Sequence, residues 1–169
     1  MTAQRRWFWL VLLVGGAVLL LDRLTKLWVL KNIPLYEAWA PIPALDPYFR
    51  IVHTTNTGAA FGLFRGGGPI LMVIRAVAVL AILLYSYRLE RAPVGVYAAL
   101  GLILGGAAGN LWDGLVYGSV IDFLDFRLNE RLAWPTFNVA DSCVVLGVII
   151  LVIVLWRQER RPDTMTSPT

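Results

Sequence analysis

A single cysteine and a single histidine occur in 169 residues, and only 15% of the chain is charged. Each scarcity closes a class of function. Cys143 has no partner for an internal disulfide, and its position one turn into an apolar run makes it a small packing residue. His53, being alone, leaves no histidine cluster for zinc and no HExxH pattern, so no metal or other cofactor is expected. The formal net charge of +4 does not point to nucleic acid, because the basic residues stand at the ends of apolar runs, where they set membrane topology. Also missing is any polar stretch long enough for a separate soluble domain. What the chain has in excess is hydrocarbon: 58% of its residues are hydrophobic and the mean hydropathy is +0.67, well above that of a soluble domain. It reads as an integral membrane protein.

Four apolar runs are long enough to span a bilayer, at about 7–30, 69–88, 94–112 and 137–156. They fit one domain over 1–157, with a charged and then Pro/Ser/Thr-rich tail over 158–169 that reads as disordered. The first run follows Arg5 and Arg6 like a signal peptide, but no small-residue cleavage site follows it, and it reads as a retained helix. The segment from Asn32 to Gly68 holds Pro34, Pro41, Pro43 and Pro47, which break helices, then a β-branched stretch in which Tyr48–Thr55 predicts a short strand. Tyr36, Trp39, Tyr48 and Phe49 suit an aromatic interfacial layer. Leu115–Trp134 is too charged and too broken to span. The expected fold is therefore an all-α membrane protein of four helices with a small extracytoplasmic region containing β-structure.

If the helices alternate, Arg5, Arg6, Arg88, Arg91, Arg157, Arg160 and Arg161 share one side, which places both termini in the cytoplasm. The opposite, outer side then collects Asp22, Asn56, Asp113, Asp122 and Asp141 at the borders of the loops. Carboxylates at the edge of hydrocarbon cost roughly 2.5 kcal/mol or more each at a helix centre, which asks for a functional reason. Asp22 and Lys26, spaced i, i+4, can pair on one helix face. Asn138 and Asp141, spaced i, i+3, can cap the fourth helix. Asn56 reads as a turn residue on spacing alone, and Gly101, Gly105 and Gly109 form a stripe for close helix packing. Asp122 and Asp141 can meet because the connection between them is short enough to close on itself. Two adjacent carboxylates do not both ionise readily, and one ionised and one protonated carboxyl suit peptide hydrolysis by activated water. Helix capping and bundle packing remain the alternative for the same residues.

In order and spacing, DRLTK, NTGAAFG, GGAAGNLWD, VIDF and FNVADS resemble the motifs of the bacterial lipoprotein signal peptidases, or signal peptidase II. The resemblance covers nearly the whole chain except the tail. It implies an inner-membrane aspartic peptidase that removes the signal peptide of prolipoproteins, cutting before the diacylglyceryl-modified cysteine. It implies Asp122 and Asp141 as the catalytic dyad and supporting roles for Asp22, Lys26, Asn56, Gly105, Asn110, Asp113, Asn138 and Ala140. Membrane lipids as surroundings, globomycin as an inhibitor and a monomeric state belong to the same expectation. One position departs from the pattern: the family motif continues GNLxDR, whereas Gly114 follows Asp113 here. If the absent arginine serves to hold a carboxylate, Arg75 or Arg23 is the candidate to replace it. Two other classes use similar residues. A transporter would string its acidic groups across the bilayer instead of gathering them at one surface, and a Ser/Lys peptidase would need Ser119 or Ser142 beside Lys26.

Overall fold

The computed structural model describes residues 3–57, 68–129 and 132–160. Most of the NTGAAFG stretch, including Gly58 and Gly62, and the tail from residue 161 lie outside them. Four long helices, α1 (Ala3–Asn32), α2 (Gly68–Arg88), α3 (Val94–Tyr117) and α4 (Val139–Glu159), are each long and apolar enough to cross a membrane. The shortest have 21 residues, about 32 Å at the α-helical rise. Residues 158 and 159, expected in the tail, are the last turn of α4.

α3 is the central helix, packed against α1 on one side, α4 on another and α2 on a third. Small residues permit this. A Cβ on Gly105 would lie 2.5 Å from the Gly15 carbonyl oxygen of α1 and 2.6 Å from Val18 Cβ, distances that no real side chain tolerates. One step round the helix, Gly106 faces the Ala140 carbonyl and Val144 of α4 in the same way. The contacts leave α3 largely buried, while Leu13, Leu20, Ile74, Val77, Val145 and Val152 of the other helices point outward, as lipid-facing residues must.

At one end the bundle carries an antiparallel sheet in the order β1-β2-β3-β4, with β1 at Ala38–Trp39, β2 at Phe49–Asn56, β3 at Val120–Asn129 and β4 at Leu132–Ala133. The strand expected at Tyr48–Thr55 is β2. Its partner β3 lies inside the stretch that looked merely broken. Its first four residues are all buried, so it lacks the alternation that marks a strand with one wet face. α3 also runs five residues past 112, to Tyr117, and stops at Gly118, whose φ of 69° is the left-handed conformation that glycine adopts freely. The sheet is tied to α1 by Ile33, whose carbonyl lies 2.8 Å from Nδ1 of buried His53.

Candidate active site

Asp22, Lys26, Asn110, Asp113, Asp122, Asn138 and Ala140 are all buried at the sheet end of the bundle. Asp141 and Asn56 are partly buried beside them. Two groups form, joined by asparagines.

The first group is ionic. Lys26 Nζ lies 2.9 Å from Asp22 and 2.7 Å from Asp113. Arg23 Nη2 bridges the same two carboxylates, at 2.9 and 2.6 Å. Two cations thus face two anions, and no net charge is left in the low-dielectric interior. The carboxylates also hold backbone. Asp22 Oδ1 accepts the Ala140 N–H of α4 at 3.1 Å, and Asp113 Oδ2 accepts the Ile121 N–H of β3 at 3.2 Å. Position 109 must be glycine for this, since a Cβ would meet Asp22 Oδ2 at 2.6 Å. Arg23 therefore fills the role of carboxylate holder. Arg75, the other candidate, pairs with no carboxylate among the described residues.

The second group is Asp122, on β3, and Asp141, in the first turn of α4. Among the described residues, amides hydrogen-bond their carboxylate oxygens. Asn138 caps α4, accepting from the Asp141 N–H at 2.9 Å, while the Asp141 carboxylate accepts from the Asn138 N–H at 3.3 Å. The remaining Asn138 Nδ2 donates to Asp122 Oδ1 at 2.7 Å, so one residue binds both acids. Asn110 is oriented by chemistry. Lys26 can only donate, so Asn110 Oδ1 faces it at 3.0 Å, and its Nδ2 is left to donate to Asp141 Oδ1 at 2.7 Å. Asn56 Nδ2 donates to Asp122 Oδ2 at 3.1 Å.

A bulge makes the last contact possible. Between Ile51↔Leu124 and Thr54↔Asp122, β2 spends one residue more than β3. Without that residue the alternation would turn Asn56 to the other face of the sheet; with it, Asn56 stands diagonal to Asp122 on the same face. Burial, with the Asp141 charge nearby, pushes the Asp122 carboxyl up to about 7, against the opposing pull of the Asn56 and Asn138 amides and the Lys26 charge.

Gly105 stands apart from this constellation, at the α1 contact. Ser142 donates its hydroxyl to the Asn138 carbonyl at 2.9 Å, and Lys26 faces its carboxylates and Asn110, so no Ser/Lys pair forms among the described residues. Among the described residues no cluster of His, Cys, Asp and Glu could hold a metal ion. Sequence spacing found the Asp22–Lys26 pair and the Asn138–Asp141 cap, but not the double bridge of Arg23. The signal for it was the place of Arg23 three residues before Lys26, on the same helical face.

The fold resembles two solved bacterial membrane enzymes. One, determined by the in meso method at 2.3 Å, has a TM-score of 0.80 at 24% identity, covering 94% of each chain. The other, at 1.9 Å, has a TM-score of 0.74 at 26% identity, covering 91% of this chain and 94% of its own. The lipoprotein signal peptidase of Halothermothrix orenii is 40% identical over 154 residues, 91% of this chain and 100% of its own. That of a Cyanothece species is also 40% identical, covering 97% of this chain and 95% of its own. The family described as Signal peptidase (SPase) II matches residues 14–157, and with these relatives on both sides the chain belongs to the lipoprotein signal peptidases, bacterial membrane proteases of the signal peptidase II family.

Proposed function

We propose that the chain is an aspartic endopeptidase that cuts diacylglyceryl-modified prolipoproteins immediately before the lipidated cysteine, with Asp122 and Asp141 as its dyad. The observation that carries this reading is the pair of carboxylates bound to one another through Asn138, with one of them held near neutrality in its protonation. In the reaction, the ionised carboxylate takes a proton from water as the water oxygen bonds to the scissile carbonyl carbon. The protonated carboxyl donates to the carbonyl oxygen as its π bond breaks. Collapse of the tetrahedral intermediate re-forms the carbonyl as the C–N bond breaks: a hydroxyl proton returns to the carboxylate that donated, and the proton first taken from water passes to the leaving amine, the new N-terminus of the lipidated cysteine. We assign the protonated role to Asp122, the deeper of the two. The amides of Asn56, Asn110 and Asn138 fix both acids without adding a charge, and the ionic group behind them anchors α1, α3, α4 and β3 in register.

The basic residues near the α2–α3 connection and after α4 support a topology with both termini cytoplasmic and the dyad at the outer surface. Reporter fusions after Arg91 and after Pro47 are expected to give opposite signals. On this reading the substrate reaches the monomer sideways from membrane lipid, and globomycin blocks it. The test is purified protein with a diacylated prolipoprotein, product masses being read by mass spectrometry. Cleavage before the lipidated cysteine, unaffected by chelator, is expected; equal cleavage of the unlipidated precursor, or loss of activity in chelator, would remove the reading.

A further inference from the structure

Arg75 lies half-buried on α2, a helix long and apolar enough to span the membrane. Among the described residues no ion pair or hydrogen bond engages its guanidinium. Such a cation is costly at membrane depth unless an acceptor comes to it. Its surroundings say where. Nη1 lies 3.9 Å from the place a Cβ on Gly114 would occupy, and the flexible Met72 side chain is 3.4 Å from the same point. The guanidinium therefore lies over buried Gly114, beside the place the missing side chain would take. Gly114 is one turn beyond Asn110 on the same face of α3, and Asn110 is the residue that holds Asp141. Asp113, the adjacent carboxylate, faces elsewhere and is engaged by Arg23 and Lys26. α2 and α4 both pack on α3 without an extensive contact between them among the described residues. Arg75 is the eighth residue of α2, about 10 Å along the helix from the sheet end. On the proposed function, the uncharged acceptors that a diacylated substrate carries next to its acyl chains are ester oxygens.

We propose that Arg75 is a substrate-binding residue, whose guanidinium donates from the space beside Gly114 to the ester oxygens of the substrate's diacylglyceryl group. This rests on the proposed function. Ester oxygens of bulk phospholipid have the same chemistry, and the test separates the two sources.

Steady-state cleavage of a diacylated prolipoprotein is measured in nanodiscs of phosphatidylcholine for the wild type, Arg75→Gln, Arg75→Lys and Arg75→Gln/Gly114→Arg. Glutamine is expected to raise KM about tenfold, the effect of losing one hydrogen bond from a charged group, with kcat within about twofold. Lysine, which keeps the charge and the stem, should fall between. Arginine supplied from position 114 should bring KM back toward the wild-type value, a rescue that a merely structural role for Arg75 would not give. A wild-type KM in Arg75→Gln overturns the inference while leaving the function standing, as does a loss confined to kcat. A KM effect that vanishes when the host lipid is changed to an ether-linked analogue, the substrate keeping its esters, assigns the contact to bulk lipid and overturns it too. A wild-type enzyme inert toward the substrate overturns the proposed function itself.

Discussion

Four of the carboxylates at the sheet end of the bundle meet around the asparagines, and they live in two different environments. Asp22 and Asp113 each touch both Arg23 and Lys26, and each accepts one backbone N–H, of Ala140 in α4 and of Ile121 in β3. Among the described residues, Asp122 and Asp141 accept from amides, those of Asn56, Asn110 and Asn138 and one backbone N–H. An amide fixes a carboxylate in space almost as well as a cation does, but it supplies no countercharge. The proton equilibrium therefore stays open. On the proposed function the comparison teaches a division of labour: the ion-paired acids hold elements together, and the amide-held acids carry the proton transfers.

Removing a dyad acid should give the largest effect and test that division directly. Asp122→Asn and Asp141→Asn keep the shape and delete the proton chemistry, so each is expected to lower kcat at least about a thousandfold, within the range general acid–base groups contribute. The folded protein should persist, as judged by its elution and thermal midpoint in detergent. Near-normal turnover in either variant would erase the distinction between the two pairs. The opposite behaviour is expected of the ionic group. Lys26→Met leaves two buried carboxylates to share Arg23, at a cost of about 3–5 kcal/mol in stability. Its thermal midpoint should fall sharply even where no substrate is present; a midpoint unchanged within error would mean that the ionic group does not bind the helices together.

The two groups were unequally legible in the sequence. The helices declared themselves through the length of their apolar runs, and the i, i+4 spacing of Asp22 and Lys26 and the i, i+3 spacing of Asn138 and Asp141 named two contacts within single elements. Contacts between elements were another matter. Asn56 reads as a turn residue until the β2 bulge is known to rotate it onto the Asp122 face. The bulge depends on the register between β2 and β3, and β3 itself, buried at its start on both faces, carries no strand periodicity. Asn110 sits in a glycine-rich stretch whose local pattern speaks of packing only. Its role in the site comes only from the motif resemblance, whereas the glycine spacing marks Gly105 as a close-packing position without naming α1 as its partner.

pH separates the two pairs on a finer scale. The folded Asp122 carboxyl titrates near 7 while its unfolded counterpart titrates near the ordinary value of 3.8. The sign follows: the acid is neutral in both states below about 4, ionises only in the unfolded chain between about 4 and 7, and ionises in both above that. Wild-type stability thus declines relative to Asp122→Asn as pH rises from about 4 to 7 and then runs parallel to it. The full change is of order 4 kcal/mol at about 1.4 kcal/mol per unit. Any fixed penalty of the asparagine, whose own amide must face a donor, cancels in the difference between two pH values. Thermal midpoints of the two proteins at pH 4.5 and 8 measure it. A difference that stays constant would mean that Asp122 is not held protonated in the fold.

The smallest effect expected sharpens the comparison most, because it changes one amide and leaves both acids in place. Asn56 Nδ2 donates to Asp122 Oδ2, a hydrogen bond that favours the ionised form and so pulls the carboxyl down from where burial alone would set it. Asn56→Ala removes that pull. The Asp122 proton should be held more tightly, and the alkaline limb of the kcat profile, which reports loss of the acid, should move up by roughly half to one unit, a change worth about a kcal/mol. At pH 7 the lost positioning and the better-protonated acid oppose one another, so kcat should fall only a few-fold. The limb moving down would mean that the Asn56 contact stabilises the neutral acid. A limb that stays put would mean that the contact holds β2 against β3 without reaching the chemistry. Asn56→Asp supplies the contrast: a third carboxylate against Asp122 should move the limb up further while costing far more activity, as the site then lacks the neutral donor that sets it apart from the ionic pair behind it.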